Sequence, residues 1–133
     1  MGKSEQETRS KPKARSTIGY IPTNLGGIAR PVLNGMVDVA RERDRNLICF
    51  PGAIALDPVD FSAQHNIAYA LPSAESVDGI VSWASMIGNY ISVDELEVFH
   101  ERYRPLPTVT IGRAIAGLPS VLMDSYEGMR EAV

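Results

Sequence analysis

The chain has 133 residues, of which 44% are apolar and 22% charged, the balance of a single globular domain large enough to bury a core without covalent staples. No apolar run approaches the roughly 20 residues that cross a bilayer, and no hydrophobic stretch follows the basic N-terminal residues as a secretory signal would. Formal net charge is −3, but residues 1–15 hold five basic against two acidic residues while the rest hold eight against fourteen, which argues against the body as a nucleic-acid surface.

Residues 1–15, with scarcely an apolar side chain, are expected to form a basic disordered leader. Residues 16–133 are expected to form the folded unit. The single cysteine, Cys49, excludes an intrachain disulfide; between Ile48 and Phe50 it reads as a buried small hydrophobe. A cytoplasmic setting follows as the simplest expectation.

Five short apolar runs predict strands: "TIGYI" (17–21), "NLICF" (46–50), "DGIVSW" (78–83), "TVTIG" (108–112) and "SVLMD" (120–124). Four are continuous rather than alternating, as in strands covered on both faces. A first helix is predicted over about 29–44, where Val32, Leu33, Met36, Val37 and Ala40 recur at helical spacing. Pro31 fits its first turn, and Arg41, Arg43 and Arg45 suit the negative end of its dipole. A second helix is predicted over about 61–70, capped by Asp60 and stopped by Pro72.

The third helix has the stronger signal. Ser92-Val93-Asp94-Glu95 is a capping-box sequence, and Leu96, Phe99 and Tyr103 then share a face until Pro105 and Pro107 end it. A short last helix begins near Ser125, capped by Asp124 or Ser125, and the chain stops within it. The alternation predicts an α/β fold with an open, mainly parallel five-stranded sheet and helices on both faces. The link from "TVTIG" to "SVLMD", residues 113–119, is too short for a helical crossover, and the sequence leaves that pairing open.

In such a sheet, ligands sit beyond the carboxyl ends of the strands, where strand order reverses. The loops there offer Pro22, Thr23 and Asn24; Gly52; Trp83 and Ser85; Arg113; and Asp124, Ser125 and Tyr126. "IPTNLGG" has neither the Gly-x-Gly-x-x-Gly of a dinucleotide fold nor a Walker loop. No Gly-x-Ser-x-Gly elbow occurs, and an acidic receiver-type cluster is missing. His65 and His100 stand alone, without ligands at metal spacing. What remains is neutral hydrogen-bonding groups, an indole, an arginine and an acid, which suit binding a small polar molecule rather than attacking it. Trp83 serves equally as core, Asp124 as a helix cap, and Thr23 and Asn24 as turn formers. No metal or cofactor is expected.

"STIGYIPTN", the helix "VLNGMVDVARERDRNLICF", "VDGIV" (77–81), "PTVTIGR" (107–113) and "PSVLMDSYEGMREAV" (119–133) together resemble, in the right order, the effector-binding domain of LacI/GalR-type transcription regulators. The resemblance covers residues 16–133. It implies the first lobe of a two-lobed, type I periplasmic-binding-protein-like domain, cut at its C-terminal end, that senses a sugar-like or nucleoside-like effector without catalysis. It places ligand contacts at Thr23 and Asn24 and at Asp124, Ser125, Tyr126 and Glu127, with Ser125 standing where the family usually has Asn. It further implies a homodimer formed partly through the first helix, near Met36, Val39 and Arg43, and DNA contact only through a segment this chain lacks. The alternatives are a sensor module of a signalling protein fused to a kinase or cyclase, and a flavodoxin-like cofactor-binding enzyme domain.

Overall fold

The computed structural model describes residues 14–54 and 66–133. Five strands form one sheet: β1 (Thr17–Ile21), β2 (Asn46–Cys49), β3 (Gly79–Ser82), β4 (Thr108–Ile111) and β5 (Ser120–Val121). Their spatial order is β2-β1-β3-β4-β5, and every neighbouring pair is parallel. Strand order therefore reverses between β1 and β3. The expected α/β class and parallel sheet are both present.

The pairing left open by the sequence is settled. β4 and β5 pair in parallel, Thr110 beside Ser120 and Ile111 beside Val121, across a link far shorter than the dozen residues such connections usually need. The link manages this without a helix. Ile115 drops into the core, Leu118 closes a turn on the Ile115 carbonyl at 3.1 Å, and the Thr110 hydroxyl donates to the Arg113 carbonyl at 2.8 Å.

Helix α1 (Ala29–Glu42) joins β1 to β2. The second helix was expected over 61–70. Its first half and the proposed cap Asp60 lie outside the described residues, and Asn66–Ala70 is a 3-10 helix rather than an α-helix. A short helix that the sequence did not announce, α2 (Ala84–Ile87), follows β3. Helix α3 (Val93–Glu101) starts on the expected capping box: the Glu95 amide donates to Ser92 Oγ at 3.2 Å, and the Ser92 amide donates to Glu95 Oε2 at 2.7 Å. Helix α4 (Ser125–Ala132) is capped by Asp124, whose Oδ1 accepts from the Glu127 amide at 3.0 Å.

Strand register divides the side chains between two faces, because neighbours in a parallel sheet point the same way. One face carries Ile21, Ile80, Ser82, Thr108 and Thr110, all buried. The core lies on this face: Tyr69, Val77, Ala84, Ile87, Leu96, Phe99, Tyr103 and Ile115 pack against Ile21 and Ile80. The rings of Tyr69 and Tyr103 meet Phe99 edge to face, at 5.4 and 6.0 Å between centroids.

The other face carries Ile18, Tyr20, Leu47, Cys49, Val81, Val109 and Ile111, and only Tyr20 among them is fully buried. Helix α1 lies against it, with the expected stripe of Val32, Leu33, Met36, Val37 and Ala40 only half-buried. Cys49 is likewise half-buried rather than enclosed. Burial raises its thiol pKa. Burial, and then Cys49, push the Tyr20 hydroxyl up to about 12.

Candidate functional site

Two loops leave the sheet at the reversal point, one after β1 and one after β3. The ladder continues into both: the Trp83 amide donates to the Ile21 carbonyl at 3.2 Å, and the Gly52 amide donates to the Pro22 carbonyl at 3.0 Å. Pro22 is fully buried. The β1 loop then turns on Asn24, whose Oδ1 accepts from the Gly26 amide at 3.2 Å while its Nδ2 donates to Thr23 Oγ1 at 3.4 Å, a side chain substituting for backbone in a turn. The Ala29 and Arg30 amides close onto the Gly26 and Gly27 carbonyls at 3.0 and 3.2 Å, so this end of α1 is tied back into its own loop.

Tyr69 holds the floor. Its hydroxyl lies 2.7 Å from the Ala53 carbonyl and 3.2 Å from that of Pro22, tying the loops after β1 and β2 together. Its backbone carbonyl in turn accepts from the Tyr103 hydroxyl at 2.8 Å. The ring lies against Gly52, where any side chain would collide: a Cβ there would stand 2.3 Å from the ring. Burial raises the pKa of both tyrosines, so both remain donors across the ordinary pH range.

Between the loops lies a cavity of about 290 Å³ lined by Thr23, Asn24, Gly26, Gly27, Ile28, Ala29, Trp83 and Met86. No lining side chain is charged. The Trp83 indole N–H is already spent on Ser85 Oγ at 3.1 Å, so what the ring offers the cavity is apolar surface rather than its donor. Ser85 in turn nests against Gly112, which has φ +78° and leaves no space for a side chain because a Cβ would meet Ser85 Oγ. The Asn24 carbonyl oxygen is also committed. The groups left to meet a guest are the Thr23 hydroxyl, the second Asn24 N–H, glycine backbone, and the indole and Met86 surfaces.

Of the residues chosen from the sequence, Thr23, Asn24 and Trp83 come together in this cavity, and Ser85 stands behind Trp83. Arg113 is half-buried and donates to the Gly88 carbonyl at 3.1 Å. Asp124, Ser125, Tyr126 and Glu127 lie beyond β5, on the same edge of the sheet but outside the lining. β5 stands three strand spacings, about 14 Å, from β1. Asp124 works as the helix cap, and Glu127 pairs with Arg130 at 3.5 Å.

Ile28, Ala29 and Met86 were not singled out from the sequence. Ile28, which immediately precedes α1, is 83% exposed, a property that no local sequence pattern announced. Met86 depends on α2, which is too short for periodicity to reveal.

His100 lies in the core, 5% exposed. One ring nitrogen, Nδ1, donates to the Leu96 carbonyl at 2.7 Å, which leaves Nε2 to accept from the Ser82 hydroxyl at 2.8 Å. Burial lowers its pKa most, and nearby Arg102 lowers it further, against the opposing pull of the Leu96 carbonyl. Ser82 is fully buried, and His100 borders a small cavity of about 60 Å³. His65 lies outside the described residues. Among the described residues no group of three His, Cys, Asp or Glu stands close enough to hold a metal ion, and no helix is long and apolar enough to cross a membrane. Comparison with protein-family models, with curated proteins and with solved structures found no match for this chain.

Proposed function

We propose that this chain is a ligand-sensing lobe of the LacI/GalR-regulator kind, which binds a small, uncharged, hydroxyl-bearing molecule in the crevice between the loops after β1 and β3 and does no chemistry on it. The observation that carries this reading is the uncharged lining at the point of strand reversal. Open parallel sheets take their ligands there. A rim of hydroxyl, amide and indole face suits the alternating polar edge and apolar face of a sugar or nucleoside. A cavity of about 290 Å³ sits at the small end of ligand pockets, which run from about 300 Å³.

A thermal-shift screen of neutral sugars and nucleosides tests the proposal. At about a hundred times Kd a true ligand adds about 2.7 kcal/mol, a shift of several degrees for a domain of this size. Thr23→Val and Trp83→Ala should each abolish the shift. Measurable turnover of a hit would contradict the non-catalytic part.

The strand order gives a second reading, because flavodoxin-like domains share it and bind flavin at the same reversal point. Against it, Pro22 has no amide to give, and the Ala29 and Arg30 amides are already used within the loop, so backbone donors for a flavin phosphate are few. Visible flavin absorbance in the purified protein would favour the second reading, and a colourless preparation the first.

A further inference from the structure

We propose that the loop after β4 clamps the Trp83 and Met86 wall of the cavity, with Ser85 and Arg113 as positioning residues that do not touch the guest. The inference rests on the sensing reading above for what the cavity holds, and on geometry alone for what holds the wall.

The wall needs support from outside itself. Trp83 and Met86 reach the cavity from α2 and the residue before it. Helix α2 has four residues, closed by the Met86 and Ile87 amides on the Trp83 carbonyl, both at 3.1 Å, and by the Gly88 amide on the Ala84 carbonyl at 2.9 Å. One turn is far below the length at which a helix holds itself, and no side chain caps its start. Ala84 and Ile87 are buried in the core. Their burial fixes the backbone of the turn, but it does not choose the rotamer of Trp83, which is only half-buried.

The loop after β4 meets this turn at both ends. At the start, Ser85 Oγ accepts the indole N–H at 3.1 Å. Ser85 is backed in turn by Gly112, whose positive φ and missing side chain let the end of β4 come this close. Gly112 is itself held, because its amide donates to the Val121 carbonyl at 2.9 Å beside the β4–β5 pairing. At the far end, the Arg113 guanidinium donates to the Gly88 carbonyl at 3.1 Å, one of the acceptors that a helix end leaves without a partner. The backbone of Arg113 is anchored by the fully buried Thr110, whose hydroxyl donates to its carbonyl at 2.8 Å. Neither Ser85 nor Arg113 lines the cavity. Each spends its polar group on the wall. A contact residue locked from behind binds better, because its order need not be imposed when the guest arrives.

The chain's single tryptophan gives one indole N–H resonance in the nitrogen-labelled full chain, and its exchange with solvent reads the clamp without any guest. Ser85→Ala should speed that exchange by about tenfold or more, and Arg113→Ala by about threefold. Arg113→Lys, which keeps a donor for the Gly88 carbonyl, should restore the wild-type rate. Backbone amide exchange in α3 at the wild-type rate shows that the core is intact in each variant. Glucose and adenosine then serve as probes of binding. Whichever stabilises the wild type should lose about tenfold in Kd with Ser85→Ala and stay within about threefold with Arg113→Lys. Failure of both probes to bind would count against the sensing reading alone, and the indole exchange would still decide the clamp. Unchanged indole exchange in both alanine variants would overturn the proposal, since burial of Ala84 and Ile87 would then set the wall unaided. So would an Arg113→Lys variant that exchanges as fast as Arg113→Ala.

Discussion

The two faces of this sheet are made from similar amino acids and end up differently. One face meets a continuous apolar layer from the 3-10 helix, α2, α3 and Ile115, and the side chains of its central strands β1, β3 and β4 near that layer are buried, down to the hydroxyls of Ser82 and Thr110, while Ile48 on the edge strand β2 stays 40% exposed. The other meets α1 alone, and Ile18, Leu47, Val81, Val109 and Ile111 stay half-covered. Apolar strand sequence makes a face capable of burial; whether it is buried depends on how many elements the topology sends across it. The covered face carries stability, and it fixes the strand ends between which the cavity opens.

Deletion of matched side chains on the two faces gives the largest expected effect. Leu96→Ala should cost about 2–5 kcal/mol in urea unfolding, since Leu96 is fully buried in the core. Leu47→Ala, on the half-covered face, should cost less than half as much. Equal losses would erase the distinction.

A smaller effect probes the polar centre of the covered face. Ser82→Ala removes the one hydrogen-bond partner of His100 Nε2 among the described residues and should cost about 1–3 kcal/mol. The wild type should also carry an acid-side signature. The folded-state pKa of His100 lies below its unfolded value near 6.5, so the unfolded chain binds the extra proton first. Stability is therefore full above about pH 6.5 and falls as the pH drops from there toward the folded pKa. His100→Phe should flatten that part of the profile. Glu97, Glu101 and Arg104 line the small cavity that His100 borders, so the profile is read against that of the His100→Phe variant, which keeps all three.

The smallest effect compares two helix N-caps whose side chains each accept an amide of the first turn. Ser92→Ala should cost about 1 kcal/mol of global stability, because α3 is bonded into the core through Leu96 and Phe99. Asp124→Ala should leave global unfolding unchanged, because α4 buries nothing. It should only fray α4, visible as faster amide exchange there.

Much of this was legible in the residues. Continuous apolar runs gave the first four strands within a residue at each end and overran β5 by three residues, and the capping box placed α3 because reciprocal side-chain bonding is a local event. The strand-end rule brought Thr23, Asn24 and Trp83 together. What escaped depended on distance. No local pattern shows that Ile115 can replace a crossover helix, that α2 would follow Trp83, or that His100 would face Ser82. Nor could spacing reveal that β5 sits too far from β1 for Asp124 to Glu127 to join the cavity. The LacI-like motifs supply an expectation for that second cluster which the geometry of this chain leaves outside the crevice.

Trp83 is the chain's single tryptophan, and it lines the cavity, so its fluorescence reads the central claim directly. Titration with a neutral sugar or nucleoside that raises Tm should give a saturable change in Trp83 emission and protect the indole from a collisional quencher, at the same Kd that the thermal shifts define. A compound that stabilises the protein while leaving Trp83 emission and quencher access unchanged would place the binding site elsewhere and contradict the account.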